Sequence, residues 1–158
     1  RTRKMIPSEI ENIIIHCSAT REGDDTINAE VIDRWHKARG WKGCGYHFVV
    51  LIDGTIERGR SINICGAHTK GKNCKSWGVC YIGGVEKDGK TPKDTRTQKQ
   101  KESLEYLLYF LKLLAPEASI NGHRDFANKA CPSFDATKEY QYLNKDIFED
   151  IYGDETDI

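Results

Sequence analysis

Apolar residues recur along the chain in patterns that predict a strand followed by a helix near its start. The apolar run from Ile10 to Cys17 contains three consecutive isoleucines, which is typical of a strand buried on both faces. Asn28 to Arg39 follows the helical period, with Asn28 suited to cap its start and Gly40 to close its end. The predicted apolar face of this helix contains Val31, Ile32, Trp35 and Ala38.

The middle of the chain changes to strand-like patterns. In YHFVVLIDGTIERGR, two short apolar runs surround Asp53-Gly54, which is a strong signal for a β-hairpin. Tyr46 and His47 begin the first of these runs, and because side chains alternate across a strand they are predicted to point to opposite faces. Trp77 to Ile82 is predicted to form a further strand.

A second helix is indicated more strongly than any other element. Thr97 and Gln100 have the spacing of a capping box, and the helical pattern runs on until Pro116. Its apolar stripe, predicted to lie in the core, contains Leu104, Leu107, Leu108, Leu111 and Leu114. A short strand over Ala118 to Asn121 and a last helix from Asp135 through Tyr142 follow, and the acidic tail from Asp150 is expected to be frayed.

This order of elements predicts an α/β fold. We expect a single domain over residues 1–158, with its core over about residues 10–145, in which a central mixed β-sheet is flanked by about three helices. A chain of 158 residues can bury one substantial core and is short for two.

Composition and charge limit the classes of binding partner that the chain could have. Twenty-four basic and twenty-four acidic residues cancel, with a pI near 7.1, so no overall field attracts nucleic acid or an anionic membrane. No apolar run approaches the roughly 18 residues of a spanning helix, and the first residues lack the apolar core of a signal peptide. We therefore expect neither membrane insertion nor nucleic-acid binding. A monomer is expected as well, but no feature of the sequence fixes the oligomeric state.

Six cysteines raise the question of disulfide bonds. Cys17 and Cys80 lie in or beside apolar runs, where a cysteine usually acts as a small buried hydrophobic residue. The sequence contains no C-x-x-C pair, which argues against a structural four-cysteine zinc site. We expect reduced thiols in preference to a disulfide framework.

The candidate chemistry is concentrated in the loop from Gly122 to Phe134. His123 and Cys131 lie eight residues apart in this loop, which has no apolar period. Imidazole and thiolate are both zinc ligands, and catalytic zinc sites use three protein ligands with a fourth position open to water. The third candidate is His16, which is predicted to end the first strand, where the scaffold would hold it rigidly.

Other polar residues allow two interpretations. His36 lies beside the apolar face of the first helix, and a packing role is favoured over a ligand role. His68 lies in the loop from Gly66 to Asn73, where a solvated residue and a site residue are equally compatible with the pattern. Lys70, Lys72 and Lys75 form either a solvated cluster or a site for a carboxylate-bearing substrate.

Four separated motifs together resemble a known family. IIIHCSAT, GWKGCGYHFVVLIDGTIERGR, GAHTKGKNCKSWGVCYIGG and GHRDFANKACPSFD are similar, in this order, to zinc-dependent N-acetylmuramoyl-L-alanine amidases of type 2. That family includes phage lysozymes of the amidase kind and shares its fold with peptidoglycan recognition proteins. The resemblance extends from about Ile13 to Asp135.

The resemblance implies a mechanism and a role. Carried over by motif, the zinc ligands are His16, His123 and Cys131, in a surface cleft, and the catalytic pair is Tyr46 and Lys129. His68 would line the cleft, and Lys70 or Lys72 would bind stem-peptide carboxylates. One Zn²⁺ would serve hydrolysis of the amide between N-acetylmuramic acid and L-alanine in bacterial peptidoglycan. The implied protein is a phage or prophage endolysin, made in the cytoplasm and active on the cell wall after release.

Two alternatives stand beside this interpretation, and a third match is attributed to chance. A non-catalytic peptidoglycan-binding domain would share the fold, but such relatives typically lack the cysteine ligand that Cys131 provides. A structural zinc site would need a fourth protein ligand, for which His47 would have to turn inward. The triplet from His123 to Asp125 matches the start of a kinase catalytic loop, but no glycine-rich phosphate loop precedes it.

Overall fold

A five-stranded mixed sheet forms the centre of the computed structural model, which describes residues 4–144. Its strands are β1 (Asn12–Cys17), β3 (Phe48–Val50), β4 (Ile56–Arg58), β5 (Ser76–Tyr81) and β7 (Ser119–Gly122). Their spatial order is β4-β3-β5-β1-β7, and only the β3–β4 hairpin is antiparallel. Two further strands, β2 (Thr20–Arg21) and β6 (Gly84–Val85), form a small parallel pair.

Within residues 4–144, three α-helices accompany the sheet: α1 (Ala29–Ala38), α2 (Gln98–Leu114) and α3 (Ala136–Glu139). The predicted caps of the first two are confirmed, since Asn28 Oδ1 accepts the Val31 N–H and Thr97 and Gln100 form a capping box. Short 3₁₀ helices cover Pro7–Glu9, His123–Asp125 and Gln141–Asn144. The predicted α/β architecture with a mixed sheet and about three helices is therefore confirmed.

The sheet separates two apolar clusters. The larger lies against α2 and contains Ile13, Ile15, Trp77, Val79 and Tyr81 together with Leu104, Leu107, Leu108 and Leu111 of that helix. Leu114, predicted to lie in the same buried stripe, is instead 37% exposed at the end of the helix. The smaller lies on the opposite face and contains Ile32, Cys44, Val49, Cys80 and Ile82. Because neighbouring residues of β1 point to opposite faces, His16 points to the face of the smaller cluster, away from α2.

Some predicted details differ in the structure. On α1, Trp35 is 44% exposed and Ala38 is also exposed, whereas Ile32 and His36 are buried one turn apart. His36 can take a core position because its Nδ1 accepts the Gly45 N–H at 2.8 Å, which satisfies the buried imidazole. The last helix does not run through Tyr142, because α3 ends at Glu139 and a 3₁₀ turn follows.

Parts of the predicted domain fall outside the described residues. The expected fraying of the tail from Asp150 concerns residues that lie beyond this part of the chain, as do residues 1–3. The prediction of one domain over residues 1–158 stays a prediction for the same reason. Within residues 4–144, no helix combines the length and apolar character that would cross a membrane.

Candidate metal centre and cleft

Two adjacent parallel strands bring His16 and His123 together. His16 is the penultimate residue of β1, and His123 directly follows β7, with which β1 is paired through Ile15 and Gly122. The two imidazole centroids lie 4.5 Å apart. His16 is almost completely buried, at 1% exposure, whereas His123 is partly exposed. The strand ends therefore present one inner and one outer imidazole at the same edge of the sheet.

Cys131 reaches the same place from the loop that follows His123. Its Sγ lies 3.8 Å from His16 Nδ1 and accepts a hydrogen bond of 3.2 Å from the Cys17 backbone N–H. The loop is held in position because the Arg124 N–H donates to the Cys131 carbonyl and the Tyr81 hydroxyl donates to the Pro132 carbonyl at 2.6 Å. The buried strands β1 and β5 thus hold the thiol in place through Cys17 and Tyr81.

The donor set fits a zinc ion. One ligand atom from each of His16, His123 and Cys131 lies within 4.8 Å of the other two, which is the spacing around a shared cation. Two imidazoles and one thiolate are typical zinc ligands, and three protein ligands leave a position open. No carboxylate belongs to this group, so a soft or borderline cation is favoured over magnesium or calcium.

The electrostatic environment favours neutral imidazoles. Burial lowers the pKa of His16 well below its usual value, and the neighbouring His68, His123 and Lys129 add to this effect. Burial and Lys129 also lower the pKa of His123. A neutral imidazole has the free lone pair that a metal needs. The adjacent Cys17 thiol and burial raise the pKa of Cys131, so its thiolate needs the positive charge of a bound cation.

Tyr46 and Lys129 lie beside this group. The Tyr46 ring centroid is 5.1 Å from that of His16 and 5.5 Å from that of His36. Burial raises the pKa of Tyr46 well above its usual value, and the nearby cysteines add to it, so the phenol keeps its proton at neutral pH. Lys129 is exposed and lines the cleft outside the candidate ligands. The phenol ring therefore packs against the inner candidate ligand, while the ammonium lies at the cleft.

His68 contacts His16 directly. Its Nδ1 lies 2.8 Å from His16 Nε2, and the two rings are perpendicular. The buried Thr69 hydroxyl lies 3.3 Å from the same His16 Nε2. His68 also lines the cleft, and it contacts His16 at the ring nitrogen other than the one beside Cys131.

A cleft opens in front of these residues. It has a volume of about 510 Å³ and is lined by Trp41, His68, Lys70, His123, Phe126 and Lys129, among others. A second cavity of about 600 Å³ shares Trp41 and Ala67 with it, so the two openings adjoin at these residues. Lys70 lies on the cleft wall, whereas Lys72 places its ammonium 5.1 Å from the Phe126 ring at the rim.

His47 and His36 do not join the metal group. His47 is fully buried, with Nδ1 accepting the Gly78 N–H and Nε2 2.8 Å from the Ile64 carbonyl. Both imidazoles hydrogen-bond to the backbone and pack in the interior, which agrees with the packing role predicted for His36. Sequence reasoning did not identify Trp41, Phe126, Thr69 and Ser76 as cleft or supporting residues. Of these residues, only Trp41 could have been suspected from the sequence. It is an aromatic residue in a glycine-containing segment, five positions before the candidate catalytic residue Tyr46.

The expectation of reduced thiols throughout is wrong for one pair. Cys65 and Cys74 form a disulfide bond across the loop that carries His68. Their nine-residue separation fits no common motif, so the pairing follows from the way the loop folds back on itself. Cys17, Cys44, Cys80 and Cys131 are free.

Comparisons with known proteins identify the family of the chain. The family model for N-acetylmuramoyl-L-alanine amidase matches residues 7–134. An endolysin of Enterobacteria phage K11 is 42% identical over 127 residues, which cover 80% of this chain and 83% of the phage protein. The structure of an N-acetylmuramoyl-L-alanine amidase endolysin from Clostridium intestinale superposes with a TM-score of 0.73 at 29% identity, covering 89% of this chain and 88% of that one. Bumblebee PGRP-SA superposes with a TM-score of 0.72 at 25% identity, covering 89% and 85%. Because the family model matches most of the sequence, the chain belongs to the N-acetylmuramoyl-L-alanine amidase family.

Proposed function

We propose that this amidase hydrolyses the bond between N-acetylmuramic acid and L-alanine in bacterial peptidoglycan with one Zn²⁺ held by His16, His123 and Cys131. The observation that carries the proposal is the convergence of these ligand atoms within 4.8 Å of one another at the edge of an open cleft. The three residues come from two strand ends and one loop, so the folded chain is needed to assemble them.

Zinc, when bound, would supply a Lewis acid that activates water for attack on the amide. The chain's own residues would then stabilise the charge that develops on the carbonyl oxygen during attack. The Tyr46 hydroxyl and the Lys129 ammonium are both donors, and both lie beside the candidate ligands. In this proposal Tyr46 could also pass a proton to the departing amine, since its phenol stays protonated at neutral pH.

The cleft offers groups that suit a stem peptide. Lys70 lies on its wall and Lys72 at its rim, where their charges would attract the carboxylates of the peptide. Trp41 and Phe126 provide apolar surface on the same cleft. We assign Lys70 and Lys72 to substrate binding and His68 to the cleft wall.

The biological role that fits best is that of a phage or prophage endolysin. The K11 relative carries that name, and the chain shares 42% identity with it. We infer synthesis in the cytoplasm and action on the cell wall after release. The balanced charge provides no overall field that would attract nucleic acid, and we infer a monomer that acts on peptidoglycan alone.

Digestion of purified peptidoglycan tests the reaction. The zinc-loaded protein should release stem peptides with free L-alanine amino termini, identified by mass spectrometry. Chelator-treated protein is the control and should release none until zinc is restored. New reducing sugar ends would instead indicate a glycosidase, and binding to peptidoglycan without new ends would favour the non-catalytic alternative.

A further inference from the structure

The ring of His68 is confined between two strips of backbone. A Cβ atom added at Gly66 would lie 2.5 Å from its Cδ2, and one added at Gly78 would lie 2.7 Å from the same atom. No ordinary side chain fits at that distance, so both glycines leave a slot that the imidazole fills. The Asn73 side-chain oxygen accepts the N–H groups of both His68 and Thr69, at 2.8 and 2.9 Å, and fixes the backbone beneath the ring.

Both ring nitrogens of His68 have partners within the protein. Nδ1 lies 2.8 Å from His16 Nε2 and 3.0 Å from the Thr69 hydroxyl, and Nε2 lies 3.3 Å from Ser76 Oγ. Ser76 is fully buried and its hydroxyl donates to the Lys72 carbonyl at 2.7 Å. The result is a continuous chain of hydrogen bonds from the Lys72 carbonyl to His16.

The Lys72 carbonyl determines which atom donates in each hydrogen bond of this series. A carbonyl oxygen only accepts, so the single Ser76 hydroxyl proton points toward Lys72. Ser76 Oγ must then accept from His68 Nε2–H, which leaves His68 Nδ1 as an acceptor for His16 Nε2–H. His16 is left with its lone pair on Nδ1, the nitrogen that lies 3.8 Å from Cys131 Sγ.

We propose that His68 is a positioning residue for the metal centre, which fixes His16 in the tautomer that presents Nδ1 to the cation. The proposal rests on the proposed zinc site and deepens it. A ligand histidine held through its second nitrogen keeps its ring orientation, and loss of such a partner typically weakens metal binding by about 10-fold to 100-fold. With both nitrogens occupied, His68 offers a substrate only the edge of its ring.

Thr69 is a second partner for the same proton. Its hydroxyl lies 3.3 Å from His16 Nε2 and is 2% exposed, so it can accept from His16 when His68 is removed. A single substitution at His68 therefore leaves a weaker substitute in place. Removal of both residues should have the larger effect.

Ring-nitrogen NMR of the metal-free protein tests the hydrogen-bond direction without reference to activity. The ¹⁵N shifts should show protonated Nε2 and unprotonated Nδ1 for both His16 and His68 at pH 7.5. In the Ser76→Ala variant the preference at His68 should weaken. If the parent protein carries the proton of His16 on Nδ1, the proposal is overturned.

Zinc competition against a chromophoric chelator tests the consequence. His68→Ala should weaken zinc binding about 10-fold to 100-fold, and the double variant His68→Ala/Thr69→Val should weaken it further. His68→Asn keeps an acceptor near the Nδ1 position and should recover most of the affinity. Lys70→Ala is the matched control on the same cleft, and its zinc affinity should equal that of the parent.

Kinetics at saturating zinc separate positioning from substrate binding. A positioning role predicts a KM for His68→Asn near that of the parent, whereas a substrate-binding role predicts a raised KM with unchanged zinc affinity. Zinc affinity of His68→Ala within about threefold of the parent, in a protein with a normal thermal unfolding transition, would overturn the proposal. If His68→Ala does not fold, the NMR measurement on the parent still decides it, because that measurement needs no substitution. A parent that binds no zinc would refute the proposed function, while the NMR result would remain interpretable.

Discussion

For single residues, the proposed roles differ: His16, His123 and Cys131 would hold the metal, whereas Tyr46 and Lys129 would act on the substrate. His16 is buried and bonded on both sides, which suits a ligand that must not move. Lys129 is exposed at the cleft rim, where its ammonium can reach a substrate. Tyr46 lies between these extremes, with its ring packed against His16 and His36. This division predicts different results for substitutions in the two groups.

Substitution of a ligand should remove both metal and activity. We expect His16→Ala, His123→Ala and Cys131→Ala each to abolish zinc binding, because two remaining ligands cannot hold the ion against competing water. Elemental analysis of the purified variants measures this directly. Cys44→Ala is a control for the cysteine, since Cys44 is a buried free thiol outside the group. Full zinc content in any of the three ligand variants would remove that residue from the site.

Substitution of the catalytic pair should leave the metal in place. Tyr46→Phe removes only a hydroxyl, and Lys129→Ala removes an exposed charge, so both variants should keep zinc and substrate binding. Loss of one oxyanion donor typically lowers the rate about 100-fold to 1000-fold, or roughly 3 to 4 kcal/mol. Measurement of kcat and of zinc content on the same samples tests this. Turnover of Tyr46→Phe within about threefold of the parent, worth under roughly 1 kcal/mol, would reassign the ring to packing.

At the element scale, the long or strongly patterned segments could be predicted from the sequence. The α2 capping box, the β3–β4 hairpin and the isoleucine-rich β1 all have local signals, and the structure contains all three. The buried face of α1 could not be predicted, because burial of His36 depends on the distant Gly45 N–H. The contact between His68 and His16 joins residues 52 positions apart, so no local pattern indicates it. The same limit applies to the Cys65–Cys74 bond.

That disulfide should stabilise the loop that carries His68. For a separation of nine residues, closure of the unfolded loop is worth about 2 to 3 kcal/mol in the chain-entropy model. We therefore expect the double variant Cys65→Ala/Cys74→Ala to lose about that much free energy of unfolding in urea. Both cysteines lie outside the metal group, so zinc content should not change.

Thiol titration of the unfolded, zinc-free protein checks the bond itself. Oxidised protein should show four thiols, from the cysteines that are free in the structure, and two more should appear after reduction. Six thiols in unreduced protein would show that the bond does not form under those conditions. Because such bonds persist only in oxidising surroundings, the sample should be compared before and after exposure to air.

At the scale of the whole molecule, the fold places all five histidines where their charged forms are disfavoured. The pKa values of His16, His36, His47, His68 and His123 are all lowered, with burial as the largest cause in each case. For His47 the value falls to about 4. The unfolded chain, in contrast, has histidines with ordinary pKa values near 6.5. Unfolding below that pH must therefore take up protons.

The free energy of unfolding of the metal-free protein should accordingly depend on pH. A lowered folded-state pKa gives stability that is fully present above the unfolded value of about 6.5 and is lost as the pH falls toward about 4, by up to roughly 1.4 kcal/mol per pH unit for each histidine. Urea unfolding at intervals from pH 7.5 to 4.5 should show a plateau followed by a steep decline. His36→Asn keeps an acceptor for the Gly45 N–H, removes one titrating group and should make the decline shallower.

Carboxylates with lowered pKa values, such as Asp94 beside Arg96, affect stability in a separate pH range, below about pH 4. Stability that stayed constant from pH 7.5 to 5 would mean that the histidines titrate in the folded protein as they do in the unfolded chain, and the closely packed imidazoles around His16 would then have to accept charge without unfolding.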